Sequence, residues 1–251
     1  EKDVAEALVC ESNELNLIVA EAKHKEMENM IDNNVFEWVI DQGQSTVSCK
    51  WVLTEKIKDN GSSFIKARLV ARGFEENNYN RTDSPTCSKQ SIRMVFTVAS
   101  SMSWELHTID VTSAFLQGNR MEREVYVKPP KEFAEPGKIW RLLRCLYGLC
   151  DAPRSWYERV LSELKKLKGI VSKYDNALFL WYNEEGVIDG ILAVHVDDFV
   201  YCGTSSWLKF VVKNIIATFK ISKSAQGCFA YLGLNIIQTR SSVFVDQYKY
   251  L

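Results

Sequence analysis

Residues 191–203 read I-L-A-V-H-V-D-D-F-V-Y-C-G. Ile191 to Val196 is an apolar run with β-branched residues, Phe199 to Cys202 is a second, and Asp197 and Asp198 lie between them. Two strand-like runs joined by a short polar pair spell a β-hairpin. The pair is not Asn-Gly or Asp-Gly, which tight primed turns prefer. Adjacent carboxylates repel, and neither relieves turn strain as Gly does. Something else is expected to hold them, and a divalent cation is the obvious candidate. The plainer reading is a solvated turn, since Asp is common in turns.

Outward from this hairpin, strands alternate with helices. Residues 1–19 are weakly patterned, and residues 20–33 read as a charged helix with Met27, Met30 and Ile31 on one side. In 47–57, Val47, Cys49, Trp51, Leu53 and Ile57 share a face opposite Lys50, Thr54 and Lys56. Asp59-Asn60-Gly61 is a turn signal, after which Ile65, Ala67, Leu69 and Ala71 oppose Lys66, Arg68, Val70 and Arg72. The result is a basic hairpin, read either as a solvated face or as a cradle for phosphates. Ile92, Val95, Phe96, Ala99 and Met102 form a helical core stripe, as do Trp156, Val160, Leu161, Leu164 and Leu167 after Pro153. A third amphipathic helix spans 205–219. Strands are expected at 104–110, 124–128, 138–147, 177–182, 187–196, 229–237 and 243–247. This order predicts an α+β domain with helices behind a mainly antiparallel sheet.

The 251 residues carry 31 basic and 32 acidic side chains, a formal net charge of −1. Any polyanion contact must therefore come from local basic faces. Seven cysteines without a C-x-x-C pair, and only three histidines, exclude a zinc-finger spacing and point to reduced thiols in an intracellular protein. No run of transmembrane length and no signal peptide are seen, so no membrane association is expected. Without a clear boundary at either end, the chain reads as a piece of a longer polypeptide.

Four stretches, in this order, carry a resemblance: K-A-R-L-V-A-R-G-F (66–74), I-D-V-T-S-A-F-L-Q-G (109–118), L-Y-G-L-C-D-A-P-R-S-W-Y (146–157) and V-D-D (196–198). Together they resemble the reverse transcriptase domain of copia-type LTR retrotransposon polyproteins, over residues 20–251. The resemblance implies a right-hand polymerase, here fingers and palm, acting as an RNA- or DNA-templated DNA polymerase. Its partners would be a template with primer and deoxynucleoside triphosphates, in a cytoplasmic particle or the nucleus. Asp110, Asp197 and Asp198 would be the catalytic carboxylates and hold two Mg²⁺ ions, with Mn²⁺ as a substitute. Lys66, Arg68 and, more weakly, Arg72 would grip the incoming triphosphate. Phe115 would lie under the sugar, and Leu232-Gly233 would hold the primer terminus.

The chain departs from the family at several points. Cys150-Asp151 stands where Lys-Gln is usual, His195 replaces a Tyr, and Asp83 replaces a Phe. Asp151 in the nucleotide-binding position would face a triphosphate, at a cost of roughly 4 kcal/mol at 4 Å and an effective dielectric of 20, or escape that cost by pairing with Arg154 or by facing solvent. These departures support a second reading: a decayed or co-opted copy that binds nucleic acid or protein partners without chemistry. An unrelated metal-dependent phosphotransferase or nuclease using the same aspartates is the third.

Overall fold

The computed structural model describes residues 2–57, 61–76 and 82–248, with side chains from residue 14 onward. Of the turn expected at Asp59-Asn60-Gly61, the first two residues lie outside the described residues. Helix α1 (Lys2–Asp32) is followed by strands β1 (Phe36–Ile40), β2 (Thr46–Val47), β3 (Cys49–Ile57) and β4 (Ser63–Ala71), then α2 (Lys89–Met102) and β5 (His107–Val111). Next come β6 (Tyr126–Val127), β7 (Lys138–Leu142), α3 (Ala152–Lys166), β8 (Ile170–Val171), β9 (Leu178–Tyr182), β10 (Ile188–His195) and β11 (Asp198–Gly203). Helix α4 (Ser205–Trp207) runs through a π-helical stretch, Leu208–Val212, into α5 (Lys213–Thr218). Strands β12 (Ile221–Gln226), β13 (Cys228–Tyr231), β14 (Leu234–Gln238) and β15 (Val243–Asp246) follow. The chain is a mixed α+β protein with antiparallel sheets backed by helices, as its periodicities require. It divides into two compact units, residues 1–82 with 118–152 and residues 83–117 with 153–251.

In the first unit, β3 and β4 form an antiparallel ribbon from Cys49↔Ala71 to Ile57↔Ser63. The period of two puts Ala67, Leu69 and Ala71 on one face, where they are buried, and Lys66, Arg68 and Val70 on the other. Helix α1 packs on β4, and its buried Met27 and Met30 close that side. The helix begins at Lys2, within the segment read as weakly patterned. Leu53 and Ile57 are exposed, because the far end of the ribbon outruns the core that buries its base. A four-stranded sheet in the order β1-β7-β6-β2 completes the unit, and its one parallel pair is β2 with β6.

The second unit is built on a six-stranded antiparallel sheet, in the order β12-β5-β11-β10-β9-β8, beside a three-stranded sheet, β13-β14-β15. Ser88 caps α2 by accepting the Ser91 N–H at 3.2 Å. The helical spacing of Ile92, Val95, Phe96 and Ala99 buries that stripe, while Met102 in the last turn is exposed. From α3, Trp156, Val160 and Leu164 join the same core. Gly190 and Gly203 face each other across β10 and β11, and the Trp207 ring lies on them so closely that a Cβ at Gly190 would meet it at 2.3 Å. Strand β12 carries no apolar alternation. It is an edge strand with mostly exposed side chains, so burial imposes no period on it.

Candidate functional site

The hairpin of β10 and β11 pairs His195 with Asp198 and leaves Val196 and Asp197 as the two-residue turn. Val196 has φ +57°, a left-handed conformation that a β-branched residue adopts only at a cost of about 1–3 kcal/mol. Two hydrogen bonds within the second unit hold the turn. The Trp156 indole N–H donates to the Val196 carbonyl at 2.6 Å, and the Val111 amide donates to the Asp197 carbonyl at 2.8 Å. The expectation that a divalent cation holds this turn is thus corrected. A tryptophan and a neighbouring strand do so through the backbone.

Strand register then sets a row of side chains. His195 opposes Asp198, Asp198 opposes Asp110 on β5, and Asp110 opposes Lys223 on β12. Directly opposed residues project from the same face of a sheet. The Ser222 hydroxyl, at the bulge in β12, donates to Asp110 Oδ1 at 2.6 Å. Asp198 is half-buried and Asp197 exposed. Burial, then the Asp197 and Asp110 charges, push the Asp198 carboxyl up from 3.8 to about 6.

A carboxyl raised in this way binds its proton more tightly in the folded chain. Its contribution to stability is full below pH 3.8 and falls as the pH rises through about 6. Asp198→Asn should remove that slope. Discounted for solvent screening, the variant should be about 1 kcal/mol more stable than the parent at pH 8. Urea midpoints from pH 4 to 8 measure this, and equal pH slopes for parent and variant would refute it.

The pair of Mg²⁺ or Mn²⁺ ions implied for Asp110, Asp197 and Asp198 is also corrected. Among the described residues, no group of three or more His, Cys, Asp or Glu side chains could hold a metal ion. The carboxylates are committed in other ways. Asp110 accepts the Ser222 hydroxyl, Asp198 is half-buried and holds its proton to a higher pH than usual, and Asp197 sits exposed on the turn.

In the first unit, Lys66 and Arg68 stay half-buried on one face of β4, and the Arg68 guanidinium lies 5.9 Å from the centre of the Tyr147 ring. Arg72 falls beyond the end of β4 and its guanidinium stands 3.9 Å from Glu75 Oε1, so it does not continue the row of Lys66 and Arg68. Asp151 is held from the side. Arg123 makes a two-point contact with it, Nε to Oδ2 at 2.8 Å and Nη2 to Oδ1 at 2.9 Å, and reaches Glu76 Oε1 at 2.9 Å. Burial alone would lower the Arg123 pKa, but Asp151 and Glu76 outweigh it and raise it above its usual value. Asp151 is therefore one arm of an ion triad, and its cation is Arg123 rather than Arg154, the candidate the sequence offers, which pairs with Glu158. Asp83, in the second unit, has likewise found a cation, Arg154 Nη1 at 3.3 Å.

Phe115 lies in the 3₁₀ turn Ala114–Gln117, partly buried against the core of the second unit. Leu232 and Gly233 form the two-residue tip between β13 and β14, with φ +48° and +77°, the turn type that matches strand twist. Leu232 lines a cavity of about 720 Å³ with Leu234, Ile92, Lys89 and Arg93. Sequence reasoning missed Arg123, Ser222 and the donor role of Trp156. The first had a signal: an acidic residue in an amide's place asks for a cation, and Glu122-Arg123-Glu124 offers one among acids.

Residues 33–251 match the reverse transcriptase (RNA-dependent DNA polymerase) family, and the chain belongs to it. The relatives narrow the class to copia-type LTR retrotransposon Pol polyproteins. The chain is 31% identical over 240 residues to the retrovirus-related Pol polyprotein from transposon RE2 of Arabidopsis thaliana, covering 92% of this chain and 16% of that protein. It is 31% identical over 243 residues to the one from transposon TNT 1-94 of Nicotiana tabacum, covering 92% and 18%. The chain thus spans less than a fifth of these relatives. A solved foamy viral protease-reverse transcriptase in complex with RNA/DNA hybrid aligns with TM-score 0.47 and 16% identity, over 85% of this chain and 25% of that one. No described helix is long and apolar enough to cross a membrane.

Proposed function

We propose that this chain is a template-binding domain of reverse transcriptase descent that does not itself extend a primer. One contrast carries this reading: the basic ribbon is kept while the carboxylate centre is not gathered into a donor group. Lys50 and Lys56 are exposed on the same face of the ribbon as Lys66 and Arg68, with Val52 exposed opposite Arg68 and Phe64 exposed opposite Lys56. Cations interleaved with apolar and aromatic side chains suit a phosphate backbone with bases resting on the ribbon. Lys66 and Arg68 then bind backbone phosphate, and Leu232-Gly233 meets a strand end. The Arg123 triad supports the same reading, since one cation between two carboxylates leaves a net negative charge where a triphosphate would sit.

The test is poly(rA)/oligo(dT) binding by fluorescence anisotropy, beside primer extension with Mg²⁺ or Mn²⁺ in the buffer. Binding should weaken steeply with salt, as counterion release requires. Extension should not exceed that of Asp110→Asn. Extension that Asp110→Asn abolishes would overturn the proposal and restore the polymerase reading.

A further inference from the structure

The cavity of about 720 Å³ that Leu232 lines belongs wholly to the second unit, with walls from α2 and from the three-stranded sheet. Register explains its apolar floor. Ile236 on β14 opposes Val245 on β15, so both project from one face of the sheet, and Leu234 shares that face. Ile236 is buried in the core, Leu234 is half-buried, and Val245 is 44% exposed. The core therefore covers this face at Ile236 and leaves it open towards Leu234 and Val245. Ile92, on the buried stripe of α2, supplies a further apolar wall.

The rim is charged. Lys89 and Arg93 stand four residues apart on α2, both are exposed, and neither forms an ion pair among the described residues. Residues so spaced share one face of a helix, where like charges repel, and a cation in the first turn opposes the helix dipole. Helix stability therefore does not account for the pair. Asp246 is the acidic residue of the described lining, and its carboxylate already accepts the Tyr248 amide at 3.0 Å and the Asn235 side-chain amide at 3.3 Å. Two cations against one carboxylate leave the lining net positive around an apolar floor. The volume falls within the range of sites for drug-sized ligands, about 300–1,000 Å³.

We propose that this cavity binds a small amphipathic carboxylate, aromatic or medium-chain aliphatic, with its apolar body on Ile92, Leu234 and Val245 and its anionic head on Lys89 and Arg93. A guanidinium fork matches a carboxylate in two-point geometry, and the lysine ammonium adds a point charge. The site does not depend on the template-binding reading above.

The experiment titrates the whole chain with anilinonaphthalene sulfonate, an aromatic anion whose fluorescence rises in apolar sites, and then adds decanoate as competitor. Lys89→Gln and Arg93→Gln should each weaken the probe about tenfold, and Val245→Thr about threefold, with unchanged urea midpoints. Lys209→Gln, which removes an exposed cation outside the cavity, should leave the affinity as it is. Phenylnaphthylamine, the uncharged analogue, should bind the parent and Arg93→Gln alike, and decanoate should displace the sulfonate from the parent. Unchanged probe affinity in both cation variants would overturn the proposal, as would a probe that decanoate does not displace. Displacement by oligo(dT) and not by decanoate would overturn it too, and would give the cavity to a nucleic-acid strand.

Discussion

Arg123→Ala should lower the unfolding free energy by about 3 kcal/mol, read as a fall in the urea midpoint with an unchanged slope. Arg123 joins Asp151 and Glu76 at 2.8–2.9 Å, and the three side chains are 18%, 16% and 5% exposed. Removing the cation leaves two carboxylates facing each other in a poorly solvated place. Breaking a buried pair costs about 3–5 kcal/mol, and the residual exposure of Arg123 and Asp151 puts this case at the low end. The triad also inverts the expectation attached to Cys150-Asp151. Restoring the family's residues by Cys150→Lys with Asp151→Gln would be expected, from sequence alone, to improve nucleotide binding. In the folded chain it removes a two-point partner of Arg123 and sets a second cation nearby, so it should cost about 1–2 kcal/mol. Arg123→Gln combined with Asp151→Gln should cost less than the sum of the single changes, since neither charge is then stranded. Strict additivity, or an unmoved midpoint for Arg123→Ala, would show that the triad is not a coupled unit.

Trp156→Ala should cost about 4 kcal/mol, and Trp156→Phe about 2 kcal/mol, for separable reasons. Trp156 is 1% exposed and meets the Phe219 ring edge-on at 5.1 Å, so truncation to Ala opens a cavity in the core of the second unit. Phe keeps most of that volume but has no N–H, which orphans the Val196 carbonyl at a residue already in a left-handed conformation. The turn should loosen in both variants. Exchange of the Val111 amide, whose acceptor is the Asp197 carbonyl, should therefore speed up more than that of Ala193 in the middle of β10. A Trp156→Phe variant as stable as its parent, with the Val111 amide still protected, would mean that the indole bond does not hold the turn.

Most of the fold was legible, because its signals are local. The alternation of residues 47–57 against 65–72 set the ribbon and its two faces, and the helical stripe from Ile92 to Ala99 set α2. Misses fell where burial imposes no period. Edge strand β12 has one neighbour and polar residues, and β1 (Phe36–Ile40) lies in a stretch with no clean alternation. The candidate site was legible in part. Adjacent aspartates in a hairpin and an aspartate on β5 mark a place, and register does bring Asp198 opposite Asp110. Their surroundings were not readable. Ser222 lies 112 residues from Asp110 in the chain, and nothing near Asp110 announces it.

By itself the sequence determined the α+β class, the main amphipathic elements and membership of the reverse transcriptase family. These follow from periodicity and ordered motifs, in which each residue's information lies within a few positions of it. Only the tertiary structure decided which groups share charge. It paired Asp151 with Arg123 and Glu76, Asp83 with Arg154, and the turn at Val196 with Trp156. It also left Asp110, Asp197 and Asp198 short of a donor group for a metal. The physical reason is range: backbone periodicity is set by neighbours along the chain. Desolvation, ion pairing and the sharing of a proton depend on distances of a few ångströms through space, between residues that folding alone brings together.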